Sequence, residues 1–116
     1  MATFSKQFLS GSTNGRQILV AATASAGTII HTAVAGTSSI DEVWLYAVNS
    51  SANPVKLTIQ YGGTTANSDD VEMTLTPEAG LAIVVPGLPI NNGLVVRAYA
   101  SVTNVINISG YVNRIV

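Results

Sequence analysis

Apolar residues in this chain come in short runs, and within most runs they alternate with polar ones. In "PVKLTIQY", residues 54–61, Val55, Leu57, Ile59 and Tyr61 share one face of an extended strand. Lys56, Thr58 and Gln60 share the other. "DVEMTLT" at 70–76 repeats the pattern, with Val71, Met73 and Leu75 inward and Asp70, Glu72 and Thr74 outward. A period of two marks strands that bury one side and wet the other. The same reading places further strands at 16–23, 27–35, 41–49, 80–86, 93–100 and 104–112. No segment sustains a 3.6-residue period. Phe4 and Phe8, four apart, fit one helical turn or the anchors of an extended arm equally well.

Two of these strands are apolar on both faces. Val43, Leu45 and Ala47 occupy one side of 41–49, yet Trp44, Tyr46 and Val48 occupy the other. In 80–86, Leu81, Ile83 and Val85 are backed by Ala82 and Val84. In a two-sheet domain, such strands need a cover on their outer side.

Turn chemistry separates the runs. Asn14-Gly15 and Asn92-Gly93 tolerate positive φ. "TPEAG" at 76–80 supplies Pro and Gly for a tight connection. Pro86 and Pro89 cannot donate ladder hydrogen bonds, so the sheet is expected to end there.

Eight strands without helices predict an all-β fold, an eight-stranded antiparallel sandwich of the jelly-roll kind. The alternative is an immunoglobulin-like sandwich, against which stands the absence of the Cys…Trp…Cys spacing. Residues 1–15 read as an N-terminal arm and 16–116 as the sandwich domain. The apolar pattern runs to Val116, which predicts that 104–112 is an interior strand paired to both 16–23 and 41–49. Parity slips near its end. Ile106, Ile108 and Val112 agree, but Arg114 takes their side and Ile115 the other, so a bulge or strand end is expected between Gly110 and Asn113.

Composition changes the picture at one point. Only 9% of the 116 residues are Asp, Glu, Lys or Arg, and the net charge is −1, against about 25% charged residues in ordinary globular proteins. All six acidic residues lie between Asp41 and Glu78, and Arg97 and Arg114 are the only charges beyond. A free monomer leans on mixed surface charge for solubility. This surface reads as one largely covered by other protein, the alternative being a monomer clothed by its many Ser, Thr and Asn residues. Five scattered basic residues argue against nucleic acid, and no apolar run is long enough for a membrane helix. The N-terminus has no continuous apolar stretch of the signal-peptide kind.

The chemistry of an enzyme is nearly absent. There are no cysteines and one histidine, His31, which reads as an ordinary strand histidine on a polar or interface face. Catalysis through it needs a nucleophile and an orienting carboxylate, and "GSTNG" at 11–15 is no nucleophile elbow. Asp69, Asp70 and Glu72 are the best cation candidates, although their spacing matches no EF-hand loop. They read rather as a solvated hairpin tip. No catalytic, cofactor or metal site is expected. Trp44, Tyr46, Tyr61, Tyr99 and Tyr111 raise glycan binding as an alternative, but Trp and Tyr suit a protein interface equally. The sequons at Asn49 and Asn107 carry weight only on a secretory route.

The C-terminal third, "GLAIVVPGLPINNGLVVRAYASVTNVINISGYVNRIV", resembles small jelly-roll virion proteins of tailed bacteriophages. The likeness lies in an apolar strand, a Pro-bracketed corner with Asn-Gly, a strand ending in small residues and the closing "GYVNRI". It implies a head decoration, or cement, protein. Such a protein is a homo-oligomer, a trimer, that sits on the major capsid protein at the capsid surface of the virion and is made in the host cytoplasm. It transfers no site residues, because such proteins work by surface contact. A fibre- or tail-associated adhesion module and a lectin-like carbohydrate-binding module are the alternatives. The expected interface residues are Phe4, Phe8 and Leu9 of the arm, with Trp44, Tyr46, Arg97, Tyr111 and Arg114 of the sandwich.

Overall fold

A computed structural model describes residues 2–116. The chain forms β1 (Phe4–Phe8), β2 (Ile18–Leu19), β3 (Thr28–Thr32), β4 (Ile40–Asn49), β5 (Val55–Tyr61), β6 (Asp70–Leu75), β7 (Ala82–Ile90), β8 (Val95–Ala100) and β9 (Ile106–Ile115). The described residues contain no helix. The strands make two antiparallel sheets that form a sandwich. In the first, β9 lies between β4 and the pair β1 and β2, and β7 flanks β4. In the second, the order is β3-β8-β5-β6.

Alternation builds the core as expected. Val43, Leu45 and Ala47 of β4 and Ile106, Ile108 and Val112 of β9 meet Val55, Leu57 and Ile59 of β5 and Val96, Ala98 and Ala100 of β8. Each of these side chains is buried. The predicted pairing of the last strand is present: Ile18 faces Ile108, and Ala47 faces the same residue from the other side. The turn reading holds at Asn92-Gly93, where both residues take positive φ, 59° and 67°. The stretch 76–80, however, does not join neighbouring antiparallel strands as its Pro and Gly suggest: it crosses from β6 of the second sheet to β7 of the first.

Four further expectations need correction. Residues 4–8 are no free arm: they pair along β9, from Phe4 with Ile115 to Phe8 with Tyr111. A ladder of backbone bonds, not side-chain burial, holds them, because every residue of β1 is exposed.

The sheet does not end at the prolines. β7 runs through both Pro86 and Pro89, which is tolerated because it is an edge strand interrupted by two register shifts against β4.

The pairing of β9 with β4 is unbroken from Ile106 to Ile115, without the expected bulge. Arg114 takes the inward parity because Asp41 opposite it is also inward. Gly110 keeps the register possible: it has φ 152°, and a Cβ there would collide with the carbonyl oxygen of Trp44.

Finally, Gln60 does not face water. The stretch 21–27 folds over the outer side of the second sheet, where Gly27 N–H donates to Gln60 Oε1 (2.8 Å) and Gln60 Nε2 donates to Ser25 Oγ (2.9 Å).

Candidate functional site

The cross-strand registers of the first sheet arrange its outward residues in rows. Phe4, Ile115 and Ile40 make one row; Lys6, Asn113 and Glu42 the next; Phe8, Tyr111 and Trp44 the third. Beyond them, Ser109 pairs with Tyr46, and Leu19, Asn107 and Val48 form a further row. Ile83 and Pro86 of β7 extend the face beside Tyr46 and Trp44. Phe4 and Phe8 are 69% and 63% exposed, and Ile83 and Leu19 are exposed as well. The cover expected over β4 and β7 is not supplied by any described part of this chain.

The centre of this face is ordered. The Trp44 and Tyr111 rings stack at 6.4 Å between centroids and 16° between planes. Lys6 Nζ sits 4.5 Å from the centroid of Tyr111, a cation–π contact. Trp44 also lies against the backbone of Gly87, where a Cβ would come within 2.8 Å of the indole. Its Nε1 donates to Glu42 Oε1 (2.7 Å), and Asn113 Nδ2 donates to the same oxygen (3.1 Å). Those bonds, from Trp44 first and Asn113 second, hold the Glu42 carboxyl below the usual range. Glu42 therefore stays ionised at neutral pH on a face that is otherwise nearly uncharged. Beside this centre, Lys6, Gln7, Phe8, Gly15, Gly110 and Tyr111 line a groove of about 460 Å³.

A second constellation lies inside the sandwich. Asp41, fully buried, receives Arg114 Nε on Oδ1 (2.8 Å) and Arg114 Nη2 on Oδ2 (3.0 Å). Val34 N–H also donates to Oδ2 (3.0 Å), and His31 Nε2 lies 2.8 Å from it. Ser10 N–H donates to His31 Nδ1 (3.0 Å). A backbone N–H only donates, so Nδ1 carries the lone pair and Nε2 the proton given to Asp41. Burial works to raise the Asp41 carboxyl, but the bonds from Arg114, His31 and Val34 outweigh it and hold it below its ordinary value. The cluster joins β3 of one sheet to β4 and β9 of the other. His31 thus leaves the polar or interface face expected of it: only 1% exposed, it is a structural link. Ser10 Oγ accepts from Thr32 N–H (2.6 Å) and makes no bond to the ring. The Ser-His-Asp trio therefore lacks the nucleophile–base contact that activates a serine.

The remaining expected residues separate. Leu9 is 1% exposed and belongs to the chain's own core, so it offers nothing to a neighbour. Arg114 turns its Nε and Nη2 inward to Asp41, although part of its side chain stays exposed. Arg97 lies on the outer side of the second sheet, donating over 3.4 Å to the Gly27 carbonyl. Phe4, Phe8, Trp44, Tyr46 and Tyr111 do come together, on the first sheet. Tyr61 and Tyr99 do not join them. The Tyr61 hydroxyl donates to the Leu88 carbonyl (2.7 Å), and burial, with the nearby Asp41 charge, pushes its phenol pKa upward. Tyr99 faces out from the second sheet.

The acidic candidates do not converge either: Asp69 accepts from Thr65 N–H and Glu72 pairs with Lys56. Among the described residues no three His, Cys, Asp or Glu side chains gather as a cation site would require. Asn49 is buried with its amide spent on the carbonyls of Asn53 and Leu75, so its sequon is sealed.

Sequence reasoning missed the Asp41–Arg114 pair, although parity carried the signal. Both residues sit on the core side of their strands, at facing strand ends, with opposite charge. It also missed Lys6, Glu42 and Asn113, whose row becomes visible only with the register. No family model matches the chain, and no curated protein or solved structure matches it.

Proposed function

We propose that this chain is a non-enzymatic structural protein of a phage virion, a jelly-roll decoration protein that binds the major capsid protein as a homo-oligomer. The observation that carries the reading is the uncovered aromatic and apolar face of the first sheet. It spans the five strands of that sheet, and monomeric proteins rarely leave such a patch in water. The strand order supports the jelly-roll part. β1 and β2, β9, β4 and β7 face β3, β8, β5 and β6, so each sheet alternates early and late strands as two interleaved Greek keys do. The low charge and the likeness of residues 80–116 to phage virion proteins support the rest. On this reading the protein is made in the host cytoplasm and resides on the capsid surface.

The test is co-sedimentation with capsids stripped of their decoration. The protein is expected to pellet with the shell and to raise the temperature at which it opens. A purified protein that ignores the capsid overturns the reading. Glycan-array binding that is lost on Trp44→Ala replaces it with the lectin alternative. Specific binding to tail or fibre fractions replaces it with the adhesion-module alternative.

A further inference from the structure

We propose that the outer face of the first sheet is covered by a second copy of this chain, related by a two-fold axis that runs along β9 between the two copies. The inference rests on the assembly reading, names what covers that face, and puts a two-fold pair in place of the trimer that the resemblance implies.

Charge and register together select a second copy as the occupant. Lys6 on β1 and Glu42 on β4 are the only charged side chains among the outward residues of β1, β9 and β4, and they lie in one row on opposite sides of Asn113. A two-fold along β9 exchanges the β1 side of one copy with the β4 side of the other. Lys6 then faces Glu42 of the second copy, and Glu42 faces its Lys6, so both charges are matched twice. A shift of the axis by one strand leaves both unmatched.

The same operation pairs the other rows without a further choice. Phe4 meets Ile40 of the second copy, Phe8 meets Trp44, and Leu19 meets Val48. Tyr46 has no counterpart, because β1 pairs with residues 111–115 and β2 with 107–108, which leaves Ser109 and Gly110 without a neighbour on that side. That interruption is where the groove beside Gly15 and Gly110 opens, with about 460 Å³ to receive the Tyr46 ring of the second copy. A self-complementary patch of this kind is what an isologous contact requires.

The size fits as well. Three columns of strands about 4.8 Å apart, about ten residues long, give a flat footprint of roughly 500 Å². Side-chain relief raises this toward the roughly 800 Å² per partner of a standard interface.

The experiment is sedimentation velocity on the full chain across a concentration series, with charge reversals. The wild type is expected to run at twice the 12.0 kDa chain mass, or at an even multiple of it. Lys6→Glu and Glu42→Lys are each expected to weaken the dimer at least tenfold, and the double exchange to restore most of it. Restoration separates a contact between copies from a purely internal role, since the Trp44 and Asn113 bonds to Glu42 are not rebuilt by the exchange. In a second measurement, Asn113→Cys places one thiol next to the axis of a cysteine-free chain. A short bismaleimide is expected to join it into a covalent dimer. A monomer at about 100 µM, a trimer indifferent to both reversals, or no cross-link overturns the inference. A dimer that ignores capsids keeps the inference and removes the capsid reading; a monomer that binds capsids does the reverse.

Discussion

The two outer faces of this sandwich are built by the same alternation and finished in opposite ways. The second sheet turns Lys56, Gln60, Glu72, Arg97 and Tyr99 outward, and the chain attends to them itself. Stretch 21–27 closes over Gln60, and Lys56 pairs with Glu72. The first sheet turns out Phe4, Phe8, Trp44, Tyr46, Ile83 and Tyr111 and receives no comparable loop. A chain that folds a loop over Gln60 on its polar face and leaves its aromatic face bare runs against the ordinary direction of the hydrophobic effect. The difference teaches that alternation builds both faces alike, and that the loops alone decide which of them the chain covers.

The comparison presumes that the sheets are held in one frame, so its largest test is the link between them. Asp41→Ala strips Arg114 and buried His31 of their shared acceptor and is expected to cost about 3–5 kcal/mol in urea unfolding. The pH dependence follows from the same residue. The folded Asp41 binds its proton more weakly than the unfolded chain does, so its contribution is complete above the ordinary Asp value of 3.8 and is lost as pH falls through the lower folded value. Unfolding midpoints measured downward from pH 6 are expected to hold level to about that value and then drop, and Asp41→Asn to flatten the drop.

Next in size is Leu9→Ala, which removes a core side chain next to an otherwise exposed strand and is expected to cost about 2–5 kcal/mol. An unchanged midpoint would return residues 1–15 to the status of a detachable arm. Gln60→Ala leaves the Gly27 amide without its acceptor, at a cost of about 1–3 kcal/mol by the same measurement. The smallest effect is expected on the other face. Measured on the dissociated chain, below the concentration at which copies associate, Phe4→Ser combined with Phe8→Ser should move the unfolding free energy by less than about 0.5 kcal/mol. At the same dilution the double variant should sharply reduce binding of a hydrophobic dye. A large loss of stability there would show that the face serves the chain's own fold, and the contrast between the sheets would fail.

These residues also mark how far the sequence was legible. Alternation alone located the core side of β4, β5, β6 and most of β9, because burial on one side imposes a period of two. It misjudged β9 past Gly110 because a buried ion pair obeys the same parity as a buried valine, and the pattern was read for apolar residues only. It stopped β7 at Pro86 because a missing N–H is costly inside a sheet and harmless at an edge, and edge position is a property of the whole topology. It left residues 4–8 as an arm because a strand with both sides in water has no hydrophobic period to detect. The outward residues of the first sheet divide along the same line. Trp44, Tyr46 and Tyr111 stand out by type, whereas Lys6 and Glu42 need the register that puts them in one row.

The placement of β9 has a consequence for time rather than for energy. Its neighbours are β1, β2 and β4, so the first sheet is closed by contacts such as Phe4 with Ile115 that span nearly the whole sequence. Folding rates fall as such separations grow, and sheets dominated by non-local pairing fold over milliseconds to seconds. During synthesis, β4 is complete long before residues 106–115 exist, and one of its edges stays open for that whole interval. An open edge flanked by Trp44 and Tyr46 is a template for strands of other nascent chains. The order of strands that closes the first sheet thus also fixes how long its unfinished form carries an open edge.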